Sequence, residues 1–277
     1  MPFPFPDVSS RPLPELISLK GRRAVVTGGA QGLGKAIALR LAEAGADILI
    51  ADLHEDAATA AAEDLRARYS VNAVGVRVDV TDSASVAAGA DIAVAQLGGV
   101  DIWVNNAGIF PNVSLLDMPD EVWEQVFAVN SRGVFLGARE AARRMSATGK
   151  GGVIVNIVST AGFKATAPGL AAYVGSKHAV RGLTKELALE LAPLGIRVLG
   201  VAPTYVPTEG NIAATQAALE AAAAAGVDVT QLDVMQQSMI GRIGTPDDIA
   251  RVALFAASDL SIIMTGSTLL ADAGETI

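Results

Sequence analysis

The chain has 277 residues, of which 51% are apolar and 18% charged, enough for one large buried core and too apolar for a disordered chain. Its net charge of −8 opposes binding to nucleic acid or an anionic membrane, so any phosphate must be gripped by local backbone geometry. Without cysteine there is no disulfide, thiolate metal site or cysteine nucleophile. His54 and His178 alone do not make a multi-histidine centre, so no metal is expected.

The opening segment, Met1 to Pro6, is apolar but broken by proline and lacks a basic leader. Neither a signal peptide nor a membrane span is expected, and the default location is cytoplasmic. Residues 1–18 read as an arm, either disordered or packed on a neighbouring subunit. Strand-like runs follow at Ala24–Thr27, Asp47–Ala51, Ala73–Val78, Ile102–Val104, Val153–Val158, Arg197–Val201 and Thr268–Ala271. Several are rich in Val and Ile without strict polar alternation, as strands buried on both faces should be. Amphipathic stretches lie between them at Gly34–Ala44, Ala57–Tyr69, Ser83–Leu97, Glu121–Met145 and Ala172–Leu191. This order predicts a single α/β domain over residues 19–277, a Rossmann fold whose doubly wound, seven-stranded parallel sheet is flanked by helices. Residues 205–243 break the rhythm with proline, glycine and an Ala-rich helix over Asn211–Val227. Placed beyond the carboxyl end of a strand, this insertion is expected to cover a substrate, with an inert surface helix as the alternative.

Residues 24–34 place a strand, a glycine-rich turn and a helix start in close succession. Gly28, Gly32 and Gly34 suit a tight turn and close backbone approach to a pyrophosphate at a helix N-terminus. Gly29 to Lys35 also approximates a phosphate-binding P-loop, but the next residue, Ala36, has no hydroxyl for Mg²⁺. Asp52 ends the second strand about 20 residues beyond the turn, where a carboxylate accepts ribose hydroxyls and repels a 2′-phosphate. NAD is therefore expected over NADP.

Tyr173 and Lys177 sit four apart on one helical face, after a strand end bearing Ser159. A free tyrosine titrates near pH ~10, and a nearby ammonium favours the phenolate. Tyr173 could then take or give the proton at an alcohol or ketone while Ser159 holds the oxygen.

In company these motifs resemble the short-chain dehydrogenase/reductase family from about residue 19 onward. The family turn T-G-x-x-x-G-x-G is Thr27 to Gly34, its N-N-A-G is Asn105 to Gly108, and its helix asparagine is Asn130. The resemblance implies a catalytic tetrad of Asn130, Ser159, Tyr173 and Lys177. It implies cofactor contacts at Gly28, Gln31, Gly32, Leu33, Gly34, Asp52, Leu53, Asp79, Val80, Asn106, Ala107 and Gly108, then at Tyr173, Lys177, Pro203, Val206 and Thr208. Ala202 and Thr204 depart from the family's Asn and Gly. By the same analogy Phe110, Ala161, Phe163 and Tyr205 line the substrate, with Lys164 the one charge close by, and related enzymes form homotetramers through the two long helices. His178 turns away from the Tyr173 face, and Trp123 and Phe127 suit packing.

The resulting expectation is an NAD-dependent dehydrogenase acting on a small-molecule secondary alcohol or ketone with a hydrophobic, alicyclic or aryl body. A polyol dehydrogenase, a 3-oxoacyl-carrier-protein reductase, an epimerase or dehydratase, and a non-catalytic NAD sensor are the rivals.

Overall fold

The computed structural model describes residues 5–209, 212 and 238–277. They form a seven-stranded parallel sheet of β1 (Arg23–Thr27), β2 (Asp47–Asp52), β3 (Ala73–Arg77), β4 (Ile102–Asn105), β5 (Gly152–Ile157), β6 (Ile196–Pro203) and β7 (Thr268–Ala271), in the order β3-β2-β1-β4-β5-β6-β7. This is the predicted architecture, and every predicted strand is present. The runs were legible because β1, β2, β4, β5 and β6 are buried almost throughout, leaving no polar face to interrupt them.

Helices cover both faces. On one side α2 (Gly32–Glu43), α3 (Glu55–Arg68) and α8 (Pro246–Ala257) pack Ile37, Leu41, Leu65 and Ile249 against Val26, Ile48 and Leu199. On the other, α4 (Ser83–Leu97), α6 (Gly133–Thr148) and α7 (Ala171–Leu191) pack Val86, Leu136, Met145 and Ala188 against Val25, Trp103 and Ile154. The chain runs outward through β1, β2 and β3, then crosses back so that β4 pairs with β1, with Val26 opposite Val104. This reversal opens a crevice at the carboxyl ends of β1 and β4, where α/β sheets bind ligands.

Three local features differ from the sequence reading. The stretch Glu121–Met145 is not one helix: α5 (Asp120–Phe127) ends in a π-helical turn, Ala128–Arg132, before α6 begins. Helix α8 is absent from the elements the sequence predicts, although Thr245 and Asp248 form a reciprocal capping box with proline at the first turn. The described part of the arm lies on its own chain: a short α1 (Leu13–Ile17) follows a buried Val8, and Arg11 bonds Asp259 at 2.8 Å. The predicted helix Asn211–Val227 lies outside the described residues apart from Ile212. Among the described residues no helix is long and apolar enough to cross a membrane.

Candidate active site

The glycine turn leaves β1 and enters α2 through two left-handed residues, Gly28 (φ +61°) and Gly32 (φ +53°). A Cβ at Gly34 would lie 2.0 Å from the Gly28 carbonyl oxygen, so only glycine permits this closure. Gln31 provides no side-chain cap, leaving the first amides of α2 directed at whatever enters the crevice. The Asn106 side-chain amide braces the turn by donating to the carbonyls of Thr27 and Gly28, both at 3.0 Å. The Thr27 hydroxyl accepts from the backbone amides of Asn106 and Ala107 at 3.0 and 3.2 Å. A Cβ on Gly32 would lie 3.4 Å from Thr208, so the segment after β6 runs against the turn.

Asp52, buried at the end of β2, accepts from the backbone amides of Ala30 at 3.1 Å and His54 at 3.2 Å. One carboxylate thus touches the glycine turn and reaches the mouth of the crevice, with exposed Leu53 beside it. The Asp79 carboxylate is engaged by Thr81, whose hydroxyl and amide hold it below the usual carboxylate range. Val80 fills the space that a Cβ on Gly133 would need, at 3.1 Å. Pro203 and Val206 are buried, and Thr208 is half-buried. The cradle only glycine allows, the uncapped helix start and the strand-end carboxylate fit the pyrophosphate and ribose of a dinucleotide.

The chemical groups stand next to this cradle. Ser159 follows β5; its hydroxyl accepts from the Ala161 amide at 3.1 Å and bears on the Tyr173 phenol, which it lowers against burial. The buried Lys177 ammonium donates to the Ile157 carbonyl at 2.8 Å and lies 5.7 Å from the Tyr173 ring centroid. Burial pushes the Tyr173 phenol up, and Ser159 draws it back down. Burial alone pushes Lys177 down to about 8. In the protein chain itself the tyrosine is thus raised on balance, with Ser159 opposing the shift.

Asn130 sits in the π-helical turn and is fully buried. Its amide nitrogen donates to the Ile109 carbonyl at 2.8 Å and to Ser176 Oγ at 3.0 Å, while its oxygen accepts from the Ile109 amide at 2.9 Å. Ser176 in turn donates to the Tyr173 carbonyl at 2.7 Å. Asn130 thereby locks the segment after β4 to the turn of α7 carrying Tyr173 and Lys177. At Gly108 a Cβ would lie 3.3 Å from the Asn130 side-chain oxygen and 3.9 Å from the Lys177 nitrogen, so glycine leaves room between them. Ser176 and the carbonyls of Ile109 and Ile157 are not visible as site groups in the sequence; a backbone partner leaves no side-chain signature.

On the substrate side Phe110 meets Tyr173 edge-to-face at 6.0 Å and is 48% exposed. Phe163 is half-buried under the Arg181 guanidinium, 3.9 Å from its ring centroid, and Tyr205 is also half-buried. Ala161 is fully buried. His178 is exposed, its ring bonded to the Val174 carbonyl, and Trp123 stacks on Phe127 at 4.7 Å.

Residues 22–219 match the pattern of the family described as short chain dehydrogenase. The chain belongs to that family. Short-chain dehydrogenases are oxidoreductases that use a nicotinamide cofactor, and the crevice described above is built for one. Among curated relatives, a 3beta-hydroxysteroid dehydrogenase of Eggerthella lenta is 40% identical over 257 residues, covering 92% of this chain and 95% of the relative. An L-2,3-butanediol dehydrogenase of Corynebacterium glutamicum is 38% identical over 253 residues, 91% of this chain and 97% of the relative. A short-chain dehydrogenase/reductase crystal structure from Mycobacterium marinum superposes with a TM-score of 0.85 at 38% identity, covering 95% of this chain and 98% of its own.

Proposed function

We propose that this short-chain dehydrogenase oxidises a secondary alcohol to a ketone, or reduces the ketone, with NAD(H) as the cofactor. The observation that carries the reading is the Tyr173 phenol beside Ser159, followed one helical turn later by a buried Lys177 whose nitrogen is fixed by Ile157. The nicotinamide cofactor, when bound, takes or gives the hydride. Ser159 donates to the substrate oxygen and holds it beside Tyr173. In oxidation the substrate's O–H bond breaks and its proton passes to the Tyr173 oxygen; in reduction Tyr173 returns a proton to the carbonyl oxygen. Lys177 keeps a positive charge near the phenolate and is suited to the cofactor's ribose.

Asp52 supports NAD, because a buried carboxylate at the β2 end repels a 2′-phosphate. Exposed Phe110 and half-buried Phe163 and Tyr205 support an apolar substrate body, and the relatives named for a hydroxysteroid and for 2,3-butanediol both act on hydroxyl-bearing carbon skeletons. The exposed Trp123, Phe135 and Leu189 on α5, α6 and α7 support homotetramer assembly through these helices.

The test is NADH formation, followed by absorbance, with a panel of alicyclic, aryl and polyol alcohols, NADP in parallel and Tyr173→Phe as control. Turnover with NAD that falls at least ~1,000-fold in the variant, with NADH still bound, is expected. Silence of the wild type with NAD bound would instead favour a carrier-bound substrate or a sensing role.

A further inference from the structure

The C-terminal tail joins segments that lie far apart in sequence around the substrate side. After β7 the chain turns back through Ala273 (φ +54°) and Gly274 (φ +86°), two consecutive left-handed residues, the first of them unfavourable for alanine. The Asp272 carboxylate fixes this turn by accepting from the amides of Gly274 and Thr276 at 3.1 and 3.0 Å and from the Thr276 hydroxyl at 2.6 Å. Glu275 is thereby directed inward, its side chain only 8% exposed. One carboxylate oxygen pairs with the Lys164 ammonium at 3.1 Å, and Lys164 also donates to the Glu275 carbonyl at 2.9 Å. The other accepts from the Thr204 hydroxyl. The Ala273 carbonyl receives the Met239 amide at 2.9 Å, where the chain returns from residues 205–237.

Lys164 adjoins Phe163 in the segment after β5, and Thr204 adjoins Tyr205 in the segment after β6. These are the two flanks of the site on which the dehydrogenase reading places the substrate. Thr204 also stands where the resembling family has glycine, which could not make this bond. Strained backbone, a nearly buried carboxylate and two loop partners are more than the turn needs for its own order. Resting on the dehydrogenase reading, we propose that Glu275 is a positioning residue: through Lys164 and Thr204 it sets the spacing of the two segments that flank the substrate. It also keeps Lys164 neutralised beside Phe163, as an uncharged substrate requires.

The test is steady-state kinetics of Glu275→Ala, Glu275→Gln, Lys164→Met and the Gln/Met double variant on the best alcohol of the wild type, with NADH affinity by fluorescence and thermal midpoints alongside. Glu275→Ala is expected to raise KM for the alcohol about ten-fold while kcat changes less than about three-fold and NADH affinity less than about two-fold. Glu275→Gln keeps an acceptor for Thr204 but loses the charge opposite Lys164, so a rise of about three-fold is expected. Adding Lys164→Met to it should change KM little further, since the pair acts as a unit. An unchanged alcohol KM in Glu275→Ala would overturn the proposal. So would losses in alcohol and cofactor affinity that simply track a lowered midpoint in both Glu275 variants. A wild type inert on every alcohol would overturn the dehydrogenase reading along with it, whereas an active wild type with unaltered variants counts against Glu275 alone.

Discussion

Tyr173 and Lys177 share one environment that pushes them in opposite directions, the acid up and the base down, because burial disfavours the charged form of each. Ser159 is the group that opposes this for the tyrosine. Ser159→Ala is therefore expected to do two separable things: lower kcat about 100-fold or more through loss of a substrate-oxygen donor, and move the rising limb of the oxidation pH profile to higher pH. A profile lowered but not displaced would show that the serine contacts only substrate. The lysine makes a prediction about stability. With Lys177 titrating at about 8 folded and near 10.5 unfolded, the unfolded chain binds more protons between those values, so stability without cofactor climbs with pH across that window. Near pH 10 the raised Tyr173 begins to bend the curve down, since the folded chain then keeps a proton the unfolded one has lost. Below pH 8 the buried ammonium costs roughly 3 kcal/mol, offset by about 1 kcal/mol from its bond to Ile157. Lys177→Met should abolish turnover yet stabilise the protein by ~2 kcal/mol at pH 7, with the gain shrinking by pH 9.5, as read from urea midpoints. Equal midpoints at pH 7 would refute the burial cost.

Among the elements, the strands and the glycine turn were legible in the sequence because their physics is compositional. A strand buried on both faces must be a Val- and Ile-rich run, and a turn with two left-handed residues needs glycine. The break between α5 and α6 was not legible. A π-helical turn adds one residue to the helical register without changing composition, and Ala128 to Arg132 carries no proline or glycine to mark it. Its consequence is the delivery of Asn130 to the backbone of Ile109, a partner that any residue could have supplied. The polar chain behind the site was equally silent: Asn105 accepts from Trp103 and donates to Asn156, which donates to Thr184, all within the buried layer between sheet and helices. The glycine turn permits a graded prediction. Gly34→Ala drives a methyl to within 2.0 Å of a carbonyl oxygen, which has no flexible end to yield, whereas Gly32→Ala carries only left-handed strain of about 1–2 kcal/mol with Thr208 at ordinary contact. Fluorescence titration should show NADH binding essentially lost in the first and weakened about ten-fold in the second; the reverse order would mean that Gly34 is not the closure point.

At the scale of the whole molecule the opposite end of the sheet is held by charge. Asp259, in the short turn after α8, takes Arg22 of the segment before β1 at 2.9 Å and Arg11 of the arm at 2.8 Å. Its field also supports Arg197, a guanidinium buried in β6 whose hydrogen bonds all go to Ser258, Ser261 and Met264 and whose pKa burial lowers to about 10. One carboxylate therefore answers to an exposed cation, a half-exposed cation and a buried one, and these differ greatly in worth. Arg11 is 43% exposed, so Arg11→Ala should cost less than about 1 kcal/mol and most of that effect should vanish in high salt. Asp259→Asn keeps the shape but removes both outer pairs and the counter-field on Arg197, so a loss larger than that of Arg11→Ala and less sensitive to salt is expected. Thermal midpoints in low and high salt separate the two. If Asp259→Asn fell no further than Arg11→Ala, the aspartate would serve only to tie down the arm, and the hydrogen bonds that Arg197 donates to Ser258, Ser261 and Met264 would be sufficient to hold it in the core.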